Sequence, residues 1–118
     1  METNNLCKIR NIYRAIAQME LQFQKKFGLN INEAMLLCLL DTKKNMLSGE
    51  IADELDLSRS NTSKVIVAME KAGYIRRQTG KDDSRNQCFH LTKEGEKLLA
   101  GIHEYDVCLP EIISKAIT

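Results

Sequence analysis

Ser58, Arg59, Ser60, Asn61, Ser63, Lys64 and Val67 fall within ten consecutive positions, and their chemistry is that of a surface fitted to nucleic acid. Small hydroxyl side chains let a backbone approach closely. An amide such as Asn61 pairs with the edge of adenine or with a phosphate, and an ammonium such as Lys64 reaches guanine acceptors or the sugar-phosphate chain. Val67 and Ala68 are odd residues to face water but suit the methyl groups of thymine. Further on, Arg85 stands two residues after Asp83, close enough for the carboxylate to hold the guanidinium ready for a narrow minor groove. The plain alternative is a surface ion pair of little consequence.

These residues need a scaffold, and the pattern supplies one. Residues 5–27 place Leu6, Ile9, Ile12, Ile16, Met19, Phe23 and Phe27 at helical spacing, with Lys25 and Lys26 at the negative end of the dipole and Gly28 to close the helix. A second helix over 31–40 is apolar nearly all round and belongs in the core. Ser48 is a plausible cap for a third helix whose buried stripe is Ile51, Ala52 and Leu55, and Asp56-Leu57 makes the turn. Ser58 then caps a fourth helix to Ala72, ended by Gly73.

At about 100° per residue, Thr62, Val65, Ile66 and Met69 share the inner side of this fourth helix, and the polar residues take the opposite arc. Residues 74–79 and 86–91 alternate as paired strands around the loop GKDDSR, which sends Arg76 and Arg77 to opposite faces and leaves only one of them, Arg77, to meet DNA. Thr92 caps a fifth helix that breaks at Pro110, before a short helix over 111–117. The fold class is mainly α with a small β-hairpin wing, a winged helix-turn-helix. Any amphipathic helix has a polar side, but the order cap, turn, helix, hairpin is far rarer and favours duplex DNA.

The 118 residues are 43% hydrophobic and 28% charged with a net charge of +1, which fits one small domain and excludes a generically basic nucleic-acid coat. The charge is localised. Between Ser58 and Gln87 the chain carries a net +4, leaving −3 on the remainder, a footprint suited to phosphate contact or to a solvated face. No apolar run approaches the ~20 residues a bilayer demands, and the start METNNLCKIR carries no secretion signal, so a cytoplasmic location is expected. Cys7, Cys38, Cys88 and Cys108 form no CxxC pair or zinc spacing; they are expected to be reduced and mostly core-filling, with no metal and no cofactor.

The pattern LSGEIADELDLSRSNTSKVIVAMEKAGYI, then DDSR, then LTKEG, resembles the MarR family of bacterial transcriptional regulators in order and spacing. The resemblance implies a single domain over 1–118, with a DNA-binding core at 30–92 and dimerisation helices at 5–27 and 93–118. It further implies a homodimeric repressor on a pseudo-palindromic operator in the bacterial nucleoid, released by a small effector. Ser60, Asn61, Ser63 and Lys64 would face the major groove, with Arg85 as minor-groove probe and Asp83 as its brace. Only eight residues follow Pro110, where the family's last helix is generally long.

Two other classes stay in view. A winged helix can meet an acidic protein partner instead of phosphate, and a branch of the MarR family senses oxidants through a first-helix cysteine. Cys7, beside Lys8 and Arg10 near a helix start, fits that branch, while a small apolar filler is the ordinary role of a free cysteine. Catalysis is not expected: His90 and His103 have no metal-binding or nucleophile partner motif and read as structural residues.

Overall fold

The computed structural model describes residues 3–79 and 87–104. Its elements are α1 (Thr3–Phe27), α2 (Ile31–Lys43), β1 (Met46–Leu47), α3 (Ser48–Leu55), α4 (Arg59–Lys71), β2 (Ile75–Thr79), β3 (Gln87–Leu91) and α5 (Lys93–Glu104). These residues belong to two compact units, one running from Ile31 to Glu104 and the other comprising α1 with its exit to Asn30. The break at Pro110, the short last helix and Cys108 lie outside the described residues.

In the larger unit Leu36, Leu37 and Leu40 of α2, Ile51 of α3 and Met69 of α4 are almost fully buried. Burying each such side chain contributes about 1.5–3 kcal/mol before entropy is counted, so this cluster sets how α3 and α4 lie on α2. Leu99 and Ile102 of α5 and Phe89 of β3 are also buried. The sheet is antiparallel, in the order β1-β3-β2. Register pairs Ile75 with Leu91, Arg77 with Phe89 and Thr79 with Gln87, while on the other side Met46 meets Phe89 and Leu47 meets Cys88.

Several ends are held as their residue types require. Gly28 and Gly73 take positive φ of 71° and 85° and close α1 and α4. Thr92 joins two elements: its Oγ1 accepts from the Gly95 N–H at 3.1 Å as the cap of α5, and donates to the Gly73 carbonyl at 2.6 Å. Asp56 turns left-handed at φ 54°, and the Leu57 N–H donates to Ala52 at 3.0 Å, which makes the sharp corner between α3 and α4.

Four expectations need correction. Helix α2 does not stop at Leu40 but adds a turn, since Asp41-Thr42-Lys43 is compatible with helix and Thr42 Oγ1 donates back to Cys38 at 3.1 Å. It is also less enclosed than its composition implies, because Met35 and Cys38 are exposed. Ser48 is not the cap of α3: Leu47 holds that position, and Glu50 reaches back to accept its backbone N–H at 2.8 Å. The cysteines are not core-filling, with Cys7 and Cys38 exposed and Cys88 half-buried, all three unpaired. The third strand β1 was not anticipated from two residues.

Candidate nucleic-acid interface

Helix α4 is oriented by its buried side. Thr62, Val65, Ile66 and Met69 are all buried, as the spacing predicts, and the Thr62 hydroxyl satisfies itself by donating to the Ser58 carbonyl at 2.8 Å. Ser58 Oγ accepts the Asn61 N–H at 3.1 Å and so closes the start of the helix. With the inner side fixed, Arg59, Ser60, Asn61, Ser63, Lys64, Val67, Ala68 and Lys71 are all exposed. The structure thus brings together the candidates from Ser58 to Val67 on one uncovered surface. Asp83 and Arg85 lie outside the described residues.

Arg77 is exposed as well, but it is not free. Its Nε donates to Glu70 Oε2 at 2.9 Å, its Nη2 to Glu70 Oε1 at 2.8 Å and its Nη1 to Gln87 Oε1 at 2.6 Å. The guanidinium also lies 5.3 Å from the centre of the Phe89 ring. This bidentate fork is the geometry in which a guanidinium meets a carboxylate most strongly. The hydrogen bond to Glu70, reinforced by its charge, raises the Arg77 pKa above its ordinary value against the opposing effect of desolvation. Arg76, paired across the strands with His90, takes the other face, as alternation requires.

Between the start of α3, the side of α4 and the base of the wing lies a cleft of about 390 Å³. Arg59, Ser63, Arg77 and Gln87 are among its polar lining, and Val67 and Phe89 form part of its apolar wall. Glu70 and Gln87 were not singled out from sequence. The only signal was the acid seven residues before Arg77 across a helix-to-strand corner, too weak to use without coordinates.

On the smaller unit, Leu6, Ile9 and Tyr13 are 66%, 61% and 75% exposed and lie along one stripe of α1. Among the described residues, no group of His, Cys, Asp and Glu is arranged to hold a metal, and no helix is long and apolar enough to cross a membrane.

Comparison with known proteins agrees with this geometry. HTH-type transcriptional regulator PapX of Escherichia coli is 32% identical over 76 residues, covering 63% of this chain and 46% of that protein. The chain spans about half the length of the curated relatives it matches. Among solved structures, reduced AbfR bound to DNA superposes with a TM-score of 0.78 at 26% identity, over 97% of this chain and 84% of that one. Overoxidized AbfR bound to DNA gives 0.78 at 25%, over 97% and 85%. The model of the MarR family matches residues 29–86, the stretch from the entry of α2 to the wing, and the chain belongs to that family.

Proposed function

We propose that the protein is a sequence-specific, duplex-DNA-binding transcriptional regulator, not an enzyme, with α4 reading the major groove. The observation that carries this is the outer surface of α4, small, polar and basic, and left uncovered by its own unit. Ser60, Asn61, Ser63, Lys64 and Val67 read bases, Ser58 and Arg59 hold phosphates at the helix start, and Arg85 braced by Asp83 probes the minor groove. Support comes from the relatives named as transcriptional regulators and from AbfR, solved on DNA.

Two copies are part of the same reading. A stripe as exposed as Leu6, Ile9 and Tyr13 calls for a cover, and a second α1 supplies one of matching character. A symmetric pair sets two reading helices ~34 Å apart, the spacing of a palindromic site. Repression relieved by a small effector completes the proposal.

Lys64→Ala tests it. Titrating a labelled random-sequence duplex and one recovered from a random pool by the wild-type protein, at several salt concentrations, should show affinity falling steeply with salt. The variant should bind the recovered duplex more weakly, losing more affinity there than on the random one because Lys64 reads bases, whereas Arg59→Ala should lower the salt slope by about 1 per reading head. Wild-type protein that ignores both duplexes would instead favour the acidic-protein partner.

A second reading, thiol-based oxidant sensing through Cys7, is favoured by the exposure of that residue and the likeness to AbfR, solved in reduced and overoxidized forms. Cys38 serves as the internal contrast. Its sulfur is partly covered, and burial, aided by the neighbouring Asp41 charge, raises its pKa above the ordinary thiol value. A raised pKa means less thiolate at neutral pH, so alkylation of Cys38 should be slower near pH 7 than that of an ordinary thiol and should accelerate as the pH rises. Peptide-resolved alkylation should find Cys7 labelled first, and peroxide should weaken DNA binding in wild type but not in Cys7→Ser. Equal labelling of both cysteines, or equal peroxide response, would remove this reading.

A further inference from the structure

The fork between Arg77 and Glu70 raises a question of sign. A carboxylate next to the reading surface repels phosphate, so by attraction alone Glu70 weakens the binding of DNA. Its contacts with Arg77 offer a compensation. Three of the five N–H groups of Arg77 go to Glu70 and Gln87, and the ring of Phe89 lies against the guanidinium, so the side chain has few rotamers left to lose when a ligand arrives. Arg77 also lines the cleft that holds Arg59 and Ser63. Two guanidinium groups and a hydroxyl converging on an open cleft, beside the helix face that meets the groove, form a seat for an oxyanion.

We propose that this cleft receives a backbone phosphate of the bound duplex, and that Glu70, helped by Gln87, is a positioning residue that aims the two remaining N–H groups of Arg77 at it. The inference rests on the DNA-binding reading above and adds to it a phosphate seat and a residue that never touches the duplex. A phosphate contact carries no base information, so its effect extends to every sequence.

Aim and charge make opposite predictions for Glu70→Gln. If charge alone mattered, deleting the carboxylate would tighten binding to a labelled random-sequence duplex; if aim matters, binding weakens by roughly five-fold, the loss expected of a misdirected charged hydrogen-bond pair. Arg77→Lys keeps the cation but loses the fork, and should weaken binding to a similar degree with the salt slope unaltered. In an Arg77→Ala background the loss should vanish or turn into a small gain, because the aim acts through Arg77 while the repulsion of phosphate by the carboxylate remains.

Thermal melting of each variant separates loss of fold from loss of aim, and Arg77→Lys carries the test without touching Glu70. Unchanged or tighter binding by Glu70→Gln overturns the inference, as does a loss that persists in the Arg77→Ala background. Should wild type bind duplex in a Lys64-dependent way while these variants match it, only this inference falls. If wild type binds no duplex, the DNA reading falls with it.

Discussion

Gly95→Ala is expected to destabilise the larger unit by about 2–3 kcal/mol, lowering its melting temperature by roughly 8–24 °C, although alanine is the better helix former. A Cβ at this position would overlap the Tyr74 carbonyl oxygen and lie 3.1 Å from its carbon. Both are backbone atoms, which cannot swing aside as a side-chain tip does. Relief requires the start of α5 to move off the corner between α4 and β2, straining the Thr92 N–H bond to Tyr74 at 3.1 Å and the Thr92 hydroxyl bond to Gly73. The gain in helix propensity is about 1 kcal/mol at most and does not offset overlap with a fixed carbonyl. Gly101→Ala is the control. It lies in the same helix with no described atom within 4 Å of the added carbon, and should stabilise by up to about 1 kcal/mol. Calorimetric melting of the two variants should move in opposite directions; a shift of the same sign would show the contact at Gly95 to be soft.

The second large effect is on assembly. Ile9→Glu combined with Tyr13→Glu should convert a dimer into a monomer, measured by sedimentation, while circular dichroism retains the helical signal. The stripe containing Leu6, Ile9 and Tyr13 is exposed on one chain, so two carboxylates there do not disturb an intact core. At a joint between two copies, however, four carboxylates would lose water without partners, a cost of several kcal/mol. Binding to a palindromic duplex then falls by at least about 100-fold, because each 1.4 kcal/mol is tenfold and a lone reading head engages one half-site. Lys64→Ala, which removes one contact per head, should do less. A double variant that sediments as wild type would place the interface elsewhere.

What the chain disclosed before coordinates depended on how local the cause was. The inner side of α4 and its cap at Ser58 follow from spacing within one helix, and Thr62, Val65, Ile66 and Met69 are buried as that spacing requires. Gly28, Gly73 and Thr92 are equally local, since a positive φ and a cap each need only neighbouring residues. Leu47 at the start of α3 was not legible, because what fixes it is pairing with Cys88, forty-one positions on, together with a Glu50 that accepts from any backbone N–H. A two-residue strand has no period to detect.

The brace at Arg77 shows the same limit at the site. The pair Asp83 and Arg85, suggested by sequence adjacency, lies outside the described residues, and the fork at Arg77 went unforeseen because its acid lies on a different element. The cysteines were misjudged because composition ranks cysteine among the most buried residues, whereas Cys7 and Cys38 fall on outward positions of their helices.

The sheet order has a consequence for how the protein behaves when concentrated. The central strand β3 has both borders occupied, and β1 ends after two residues, too short a rail for a stranger's strand to grow upon. The longer outer border belongs to β2, whose exposed Arg76 would bring like charges together in a lateral stack, while the charge of Arg77 is met by Glu70. Fibril-type polymerisation through this sheet is therefore blocked by brevity on one flank and by repulsion on the other.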